Sequence, residues 1–169
     1  MRHCGLTFLI LMLGTAIVSS AEMPSRKPGL WEVTMSSDNR VNLIVQQCVD
    51  QATDQLLLQS AGPISVAMCT KRDVARTGDT MTIDSTCKVD GKPATSHAVV
   101  TGSFDSAYTM TISASGEALR AGLTMTLAGK WLGACLADQK PGDVVMPGGI
   151  KVNIPELQKR STQLGGPIQ

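Results

Sequence analysis

Aromatic side chains are scarce in this chain, with two Trp, one Tyr and two Phe among 169 residues. Basic clusters are missing as well, since nowhere do four or more Lys and Arg stand together. A nucleic-acid binder concentrates positive charge to displace counterions from phosphates, and a single-strand binder adds aromatic stacking platforms. Beyond residue 21 the aromatics are Trp31, Phe104, Tyr108 and Trp131. Both ingredients are lacking, so the sequence argues for no nucleic-acid partner.

Catalytic signatures are equally thin. The chain holds two histidines, His3 and His97, and no G-x-S-x-G elbow, H-E-x-x-H helix, P-loop or dinucleotide-binding glycine pattern. Any Ser-His-Asp or Cys-His site would have to be built on His97, which reads more simply as a strand surface residue in Thr95-Ser96-His97-Ala98. The acidic residues are scattered through turns, where Asp is locally favoured. No catalytic residue is assigned, and an enzyme ranks behind a binding or structural role. No cofactor is expected either. Methionines at 23, 35, 68, 81, 110, 125 and 146 lack the dense M-x-M or M-x-x-M spacing of a Cu(I) site. Core packing accounts for those in strands.

Long apolar runs are limited to one, Leu6 to Val18 (LTFLILMLGTAIV), preceded by Arg2 and His3 and followed by Ser19-Ser20-Ala21. A basic start, a short apolar stretch and small residues at its end read as a secretion signal over residues 1–21, cleaved so that the mature chain begins at Glu22. Thirteen residues fall short of the about 20 that a membrane-spanning helix needs. The expected location is the periplasm, with no transmembrane anchor after cleavage. The signal carries no acidic residue, so losing Arg2 balances 14 basic against 14 acidic residues. Residues 22–160 are expected to form a single β-rich domain, and 161–169 a frayed tail.

Four cysteines follow the signal, namely Cys48, Cys69, Cys87 and Cys135. An even set in a small exported domain reads as two disulfides. Structural zinc sites bring their ligands in close pairs, whereas the nearest spacing here is eighteen residues. Cys69 and Cys87 are symmetric about Gly78, so a hairpin turning there would oppose them at disulfide reach. Their side chains fall on opposite faces by parity, and a bulge near the turn is needed to repair the register. Cys48 would then pair with Cys135. The alternatives, 48–69 with 87–135 and 48–87 with 69–135, remain open at this level.

What the sequence does carry is period-two alternation punctuated by turn residues, the pattern of antiparallel strands. Candidate strands cover Trp31–Met35, Val41–Val45, Ser65–Asp73, Asp79–Val89, Thr95–Phe104, Ala107–Ala114 and Leu123–Leu132. Ile44 interrupts the alternation of the second and suggests burial on both faces. Thr-Met-Thr followed by Ile or Leu recurs at 80–83, 109–112 and 124–127. Parity puts the threonines outward and Met81, Ile83, Met110, Ile112, Met125 and Leu127 inward. Asp50 can cap a short helix through Gln59 that plugs one end of the sheet, with Gly62-Pro63 stopping it. From Pro141 to Gly149 proline and glycine interrupt the chain, and Ile150–Ile154 gives a short edge strand at most, ended by Pro155. The expected fold is mainly β: a single antiparallel, strongly curved sheet or partial barrel of about seven strands, with one short helix and two disulfides.

Lys27-Pro28-Gly29-Leu30-Trp31-Glu32-Val33-Thr34, Gln47-Cys48-Val49, the four spaced cysteines and above all LGACLADQKPGDVVMPGGIKVN, Leu132 to Asn153, resemble an uncharacterised bacterial family, domain of unknown function 3617. The resemblance implies an exported protein of Gram-negative bacteria with a compact β-rich domain, and it brings no catalytic residues. The Ser36–Arg40 connection is shorter and poorer in methionine than in that family. The functional expectation is a noncatalytic periplasmic binding or envelope-associated module whose ligand the sequence does not identify, an apolar one being suggested by the inward face. A structural or protein-interaction domain without a ligand pocket is the alternative, its partner an envelope protein. The Leu132–Asn153 segment is the part expected to matter most, unless Val144, Val145, Met146 and Ile150 merely cover one side of the sheet.

Overall fold

The computed structural model describes residues 24–37, 40–60 and 68–163. The stretch 1–21 read as a secretion signal, the expected Gly62-Pro63 stop and the end of the expected tail lie outside the described residues. In chain order the elements are β1 (Gly29–Ser37), β2 (Arg40–Val49), α1 (Gln51–Ser60), β3 (Cys69–Thr77), β4 (Thr80–Val89), β5 (Lys92–Ser103), β6 (Ala107–Gly116), β7 (Leu119–Gly133), β8 (Asp143–Val145), β9 (Lys151–Asn153) and α2 (Ile154–Gln163). All nine strands join one sheet in the order β3-β4-β5-β6-β7-β1-β2-β8-β9. Every pairing is antiparallel.

The mainly β class and the antiparallel sheet are as expected. Two details of the expectation are corrected. Among the described residues the sheet has nine strands rather than about seven, and it is an open sheet with β3 and β9 at its two ends rather than a strongly curved sheet or partial barrel. The seven expected segments correspond to β1 to β7, whose nine to fifteen residues are long enough to show alternation. β9 is the short edge strand expected at Ile150–Ile154, whereas β8 was not expected, its three residues being too few for a period to register. β8 pairs with β2 through Gln46↔Val145 and Gln47↔Val144, so the C-terminal segment extends the sheet past β2.

The two faces of the sheet separate as parity requires. Met81, Ile83, Met110 and Leu127 are buried, with Ile112 and Met125 packed against the same cluster. Trp31, Val33, Val45, Val49, Val100, Tyr108 and, from α1, Leu57 complete it. The outward threonines remain partly or fully exposed. Ile44 departs from expectation: it is 47% exposed, because its neighbours Leu43 and Val45 take the inward positions and the opposite face of β2 is uncovered at this point.

α1 starts with a reciprocal cap. The Thr53 N–H donates to Asp50 Oδ1 at 2.8 Å and the Asp50 N–H donates to Thr53 Oγ1 at 3.0 Å, satisfying donors that the first turn leaves open. These contacts hold the Asp50 carboxyl below the usual carboxylate range, the Thr53 backbone N–H first among the causes. α2 begins on Asn153, whose Oδ1 accepts from the Glu156 N–H at 3.1 Å. Pro155, read as a terminator, lies in the first turn of this helix, where a missing N–H costs nothing.

Disulfides join Cys48 to Cys135 and Cys69 to Cys87. The hairpin from β3 to β4 pairs Thr77 with Thr80 and continues to Lys71 with Thr86, after which the register shifts and Cys69 meets Cys87. The extra residue is Thr70. The bulge therefore sits beside the cysteine, not near the turn, and this one-residue insertion brings both cysteines to the same face.

Candidate functional site

On the outward face, antiparallel registers assemble rows of side chains across strands. Asp73, Asp84, His97, Ser113 and Thr124 are successive partners from β3 to β7. The His97 Nδ1 and Asp84 Oδ1 lie 2.7 Å apart, both side chains more than half exposed. With Ser85, Thr86, Thr95, Ser96 and Ser115 they border an open, polar groove of about 510 Å³. Asp84, His97 and Ser113 thus follow the order of a proton relay, yet the rest of an acyl-transfer site is missing. No hydrogen bond joins His97 to Ser113 among the described residues, and the neighbouring backbone N–H groups belong to strand ladders rather than to an oxyanion hole. His97 is a surface residue of a strand, on the border of an open polar groove.

A second outward groove, about 660 Å³, lies over β5, β6, β7 and β1. Thr34, Thr101, Thr109, Ala107 and Ala128 line its floor, and Glu32 and Lys130 face each other across β1 and β7. Glu32 and Lys130 form no ion pair with each other. At its end Trp131 donates its indole N–H to Pro28 O at 3.2 Å and carries the Lys27 ammonium 3.7 Å from its ring centroid. Trp131, half-buried against the core cluster with Lys27 over its ring, borders the groove at this end.

Beneath this face lies a polar cluster that sequence reasoning missed. Arg26 is 2% exposed and Asp54 is fully buried. Asp54 accepts from the Arg26 backbone N–H at 2.8 Å and from Arg26 Nε at 2.5 Å, and Arg26 Nη1 donates to Gln47 Oε1 at 2.9 Å. Arg26 Nη2 has no hydrogen-bond partner among the described residues. The guanidinium sits 5.6 Å from the Trp31 ring centroid. Tyr108 packs on Trp31 and stacks with Phe104 at 4.8 Å. Burial pushes the Tyr108 hydroxyl above its ordinary pKa, with Arg26 opposing and Asp54 adding to the rise. Gly129 stands opposite Tyr108, and a Cβ there would fall against the phenol ring. The cluster pins the segment before β1 to α1 and β2. Its partners are 28 and 21 residues apart, and no local pattern announces such contacts.

The C-terminal segment is held by polar contacts. Lys140 pairs with Glu156, and Lys151 donates to the Asp138 carbonyl at 2.6 Å and its carboxylate at 3.0 Å. Buried Asp143 accepts from Lys140 N–H and from Asn153 Nδ2. These ion pairs hold the Asp138 and Glu156 carboxyls below the usual range and Lys140 above its own. Val144 is buried in the core, whereas Met146 and Ile150 are 40% and 61% exposed. Of the four apolar residues, Val144 covers the sheet, Val145 is half-buried, and Met146 and Ile150 are exposed. Among the described residues no cluster of His, Cys, Asp and Glu is arranged to hold a metal ion, and no helix is long and apolar enough to cross a membrane.

Asp84 with His97 was within reach of sequence reasoning. A β4–β5 hairpin turning at Asp90-Gly91 pairs residues equidistant from that turn, and 84 and 97 are such a pair.

A family model described as Protein of unknown function (DUF3617) matches residues 26–135. The matched stretch runs from the buried Arg26 to the disulfide-bonded Cys135. Of the Leu132–Asn153 stretch on which the sequence resemblance leaned most, only the first four residues fall within it. No curated protein and no solved structure matches the chain.

Proposed function

Because the chain belongs to the family described as Protein of unknown function (DUF3617), for which no activity is stated, we propose from its own geometry that it is a noncatalytic binding module of the bacterial envelope, working in the periplasm. In this reading residues 1–21 are a cleaved export signal and the two disulfides suit an oxidising compartment. The observation that carries the binding role is the outward groove between Glu32, Thr34, Thr109, Lys130 and Trp131. It offers two opposite charges free of one another, hydroxyls and an indole rim, a set suited to holding a ligand with polar and apolar parts. No nucleophile, base and oxyanion donors converge there, so the site binds without turning over.

Native mass spectrometry of the protein recovered from its own periplasm tests this. An adduct on the wild-type protein that disappears in Ala128→Phe, whose ring would fill the groove floor, is the expected result. A bare mass for the wild type eliminates the ligand. A second reading, a protein-interaction domain without a ligand pocket, would then take its place. It is favoured by the packing of Met81, Ile83, Met110 and Leu127 into one filled core.

A further inference from the structure

β3 is an end strand of the sheet, held by β4 alone, and seven of its nine residues are exposed. Its ladder keeps one register from Thr77↔Thr80 to Lys71↔Thr86, anchored by Val74 against the core. Continued unchanged, that register would set Thr70 opposite Cys87 and Cys69 opposite Lys88. It does not continue: Thr70 is left unpaired, and Cys69 meets Cys87 and is bonded to it. The bridge therefore competes with the ladder, since a strand end freed of the bond can recover a regular pair by taking Thr70 into line. One residue of slip exchanges faces, so Cys69 then turns outward. The surroundings permit this, because Cys87 packs with Ala94, Ala114 and the partly buried Cys69 in a small cluster apart from the main core. Cys48–Cys135 differs. Cys48 sits within an unbroken run of β1–β2 pairing from Gly29↔Val49 to Met35↔Leu43, and no alternative register draws it from its partner.

We propose that the Cys69–Cys87 bridge is a thiol–disulfide exchange site for a dithiol oxidoreductase, and that its reduction straightens the start of β3 and carries Cys69 to the outward face. Cys69 is half-buried and Cys87 is 1% exposed, so the incoming thiolate attacks Cys69 Sγ. The S–S bond breaks, the electron pair leaves on Cys87 Sγ, and that sulfur takes a proton. The second thiol of the reductant then attacks its own sulfur in the mixed disulfide, forming the reductant's disulfide and freeing Cys69 as a thiol. Two electrons have passed from the reductant to the bridge. Recovery of the regular ladder stabilises only the reduced form, which makes this bridge the more readily reduced of the two. The outward face gains a thiol one row beyond Thr86 and Thr95, at the end of the polar groove bordered by Asp84 and His97.

Equilibration of the folded protein in dithiothreitol buffers of graded reduced-to-oxidised ratio, followed by N-ethylmaleimide trapping and peptide mass spectrometry, tests it. Cys69–Cys87 should open at a ratio roughly tenfold or more below that for Cys48–Cys135. In the reduced protein, through-space NMR contacts should join the backbones of Thr70 and Cys87 in place of Cys69 and Cys87, with the register from Thr77 to Lys71 unchanged. Deleting Thr70 sets Cys69 opposite Cys87 in the regular ladder, so that variant should need a ratio roughly tenfold or more above the wild type's to open the same bridge. Both bridges opening together, or Cys48–Cys135 first, overturns the proposal, as does a reduced protein that keeps Cys69 opposite Cys87. Unchanged reducibility in a deletion variant that unfolds at the wild-type temperature also overturns it. If the deletion prevents folding, the contacts in the reduced wild type decide alone.

Discussion

Asp54→Ala would leave the buried Arg26 guanidinium without a counter-ion. Asp54 is fully buried and accepts two charge-assisted hydrogen bonds, from the Arg26 backbone N–H at 2.8 Å and from Nε at 2.5 Å. The variant keeps the cationic partner inside with Nε added to an already orphaned Nη2. Removing one member of a buried pair costs about 3–5 kcal/mol, out of a total stability of about 5–15 kcal/mol for an ordinary domain. Asp54→Asn preserves shape and one acceptor oxygen but loses the charge, and should cost about 1.5–3 kcal/mol. Replacing the pair together, Arg26→Met with Asp54→Leu, removes both desolvated charges but leaves the residue 26 backbone N–H and Gln47 Oε1 unpaired, so its stability should fall between that of the single variant and the wild type. Urea unfolding with the disulfides intact, followed by tryptophan fluorescence, reads all three, since Trp31 lies 5.6 Å from the guanidinium. An unchanged m-value would show that the native state alone has been altered. A cost under about 1 kcal/mol for Asp54→Ala would refute the reasoning, and so would a double variant as unstable as the single one.

Opening the Cys48–Cys135 bridge with paired serines releases a loop of 87 residues and should cost about 4–5 kcal/mol in the chain-entropy account, read as a lowered urea midpoint. Tyr108 is the only tyrosine, so absorbance at alkaline pH reports it alone. Its raised pKa means that its contribution to stability is present below about pH 10 and is lost as pH rises past that value, while Tyr108→Phe should lack this alkaline step. Asp138 and Glu156 carry lowered pKa values, so what they contribute is present above about pH 4 and is lost as pH falls through their folded-state values. Amide protection in β8, β9 and α2 should therefore drop in acid before that of β4 to β7, and simultaneous loss in both groups would contradict the assignment.

How far the sequence could be read depended on the length of each signal. β4 to β7 were legible because ten to fifteen residues of alternation separate two faces, and the Thr-Met-Thr repeats fixed which face was which. β8, with three residues, was too short to alternate, β9 was legible only as a short edge strand at Ile150–Ile154, and α2 was hidden because Pro155 ends one kind of element and opens another. The bulge was foreseen from the parity conflict of Cys69 and Cys87, but nothing in the sequence assigned it to Thr70. Of the candidate site, His97 was seen and its partner Asp84 was recoverable from hairpin arithmetic. Arg26 with Asp54 was not, since the contact is made by the packing of α1 over the sheet. Glu32 and Lys130 meet only because β7 pairs with β1 across ninety-odd residues, a non-local choice that alternation leaves undetermined.

The central claim is that the inward face is spent on the core while the outward groove holds the partner. Site-specific photo-crosslinking in living cells tests it most directly, with the reactive group placed at Thr109 on the groove floor and, as a control, at Asp90 in the exposed turn between β4 and β5. The account predicts a defined crosslinked species from position 109 and none from position 90. No species from position 109, or the same species from both positions, would contradict it.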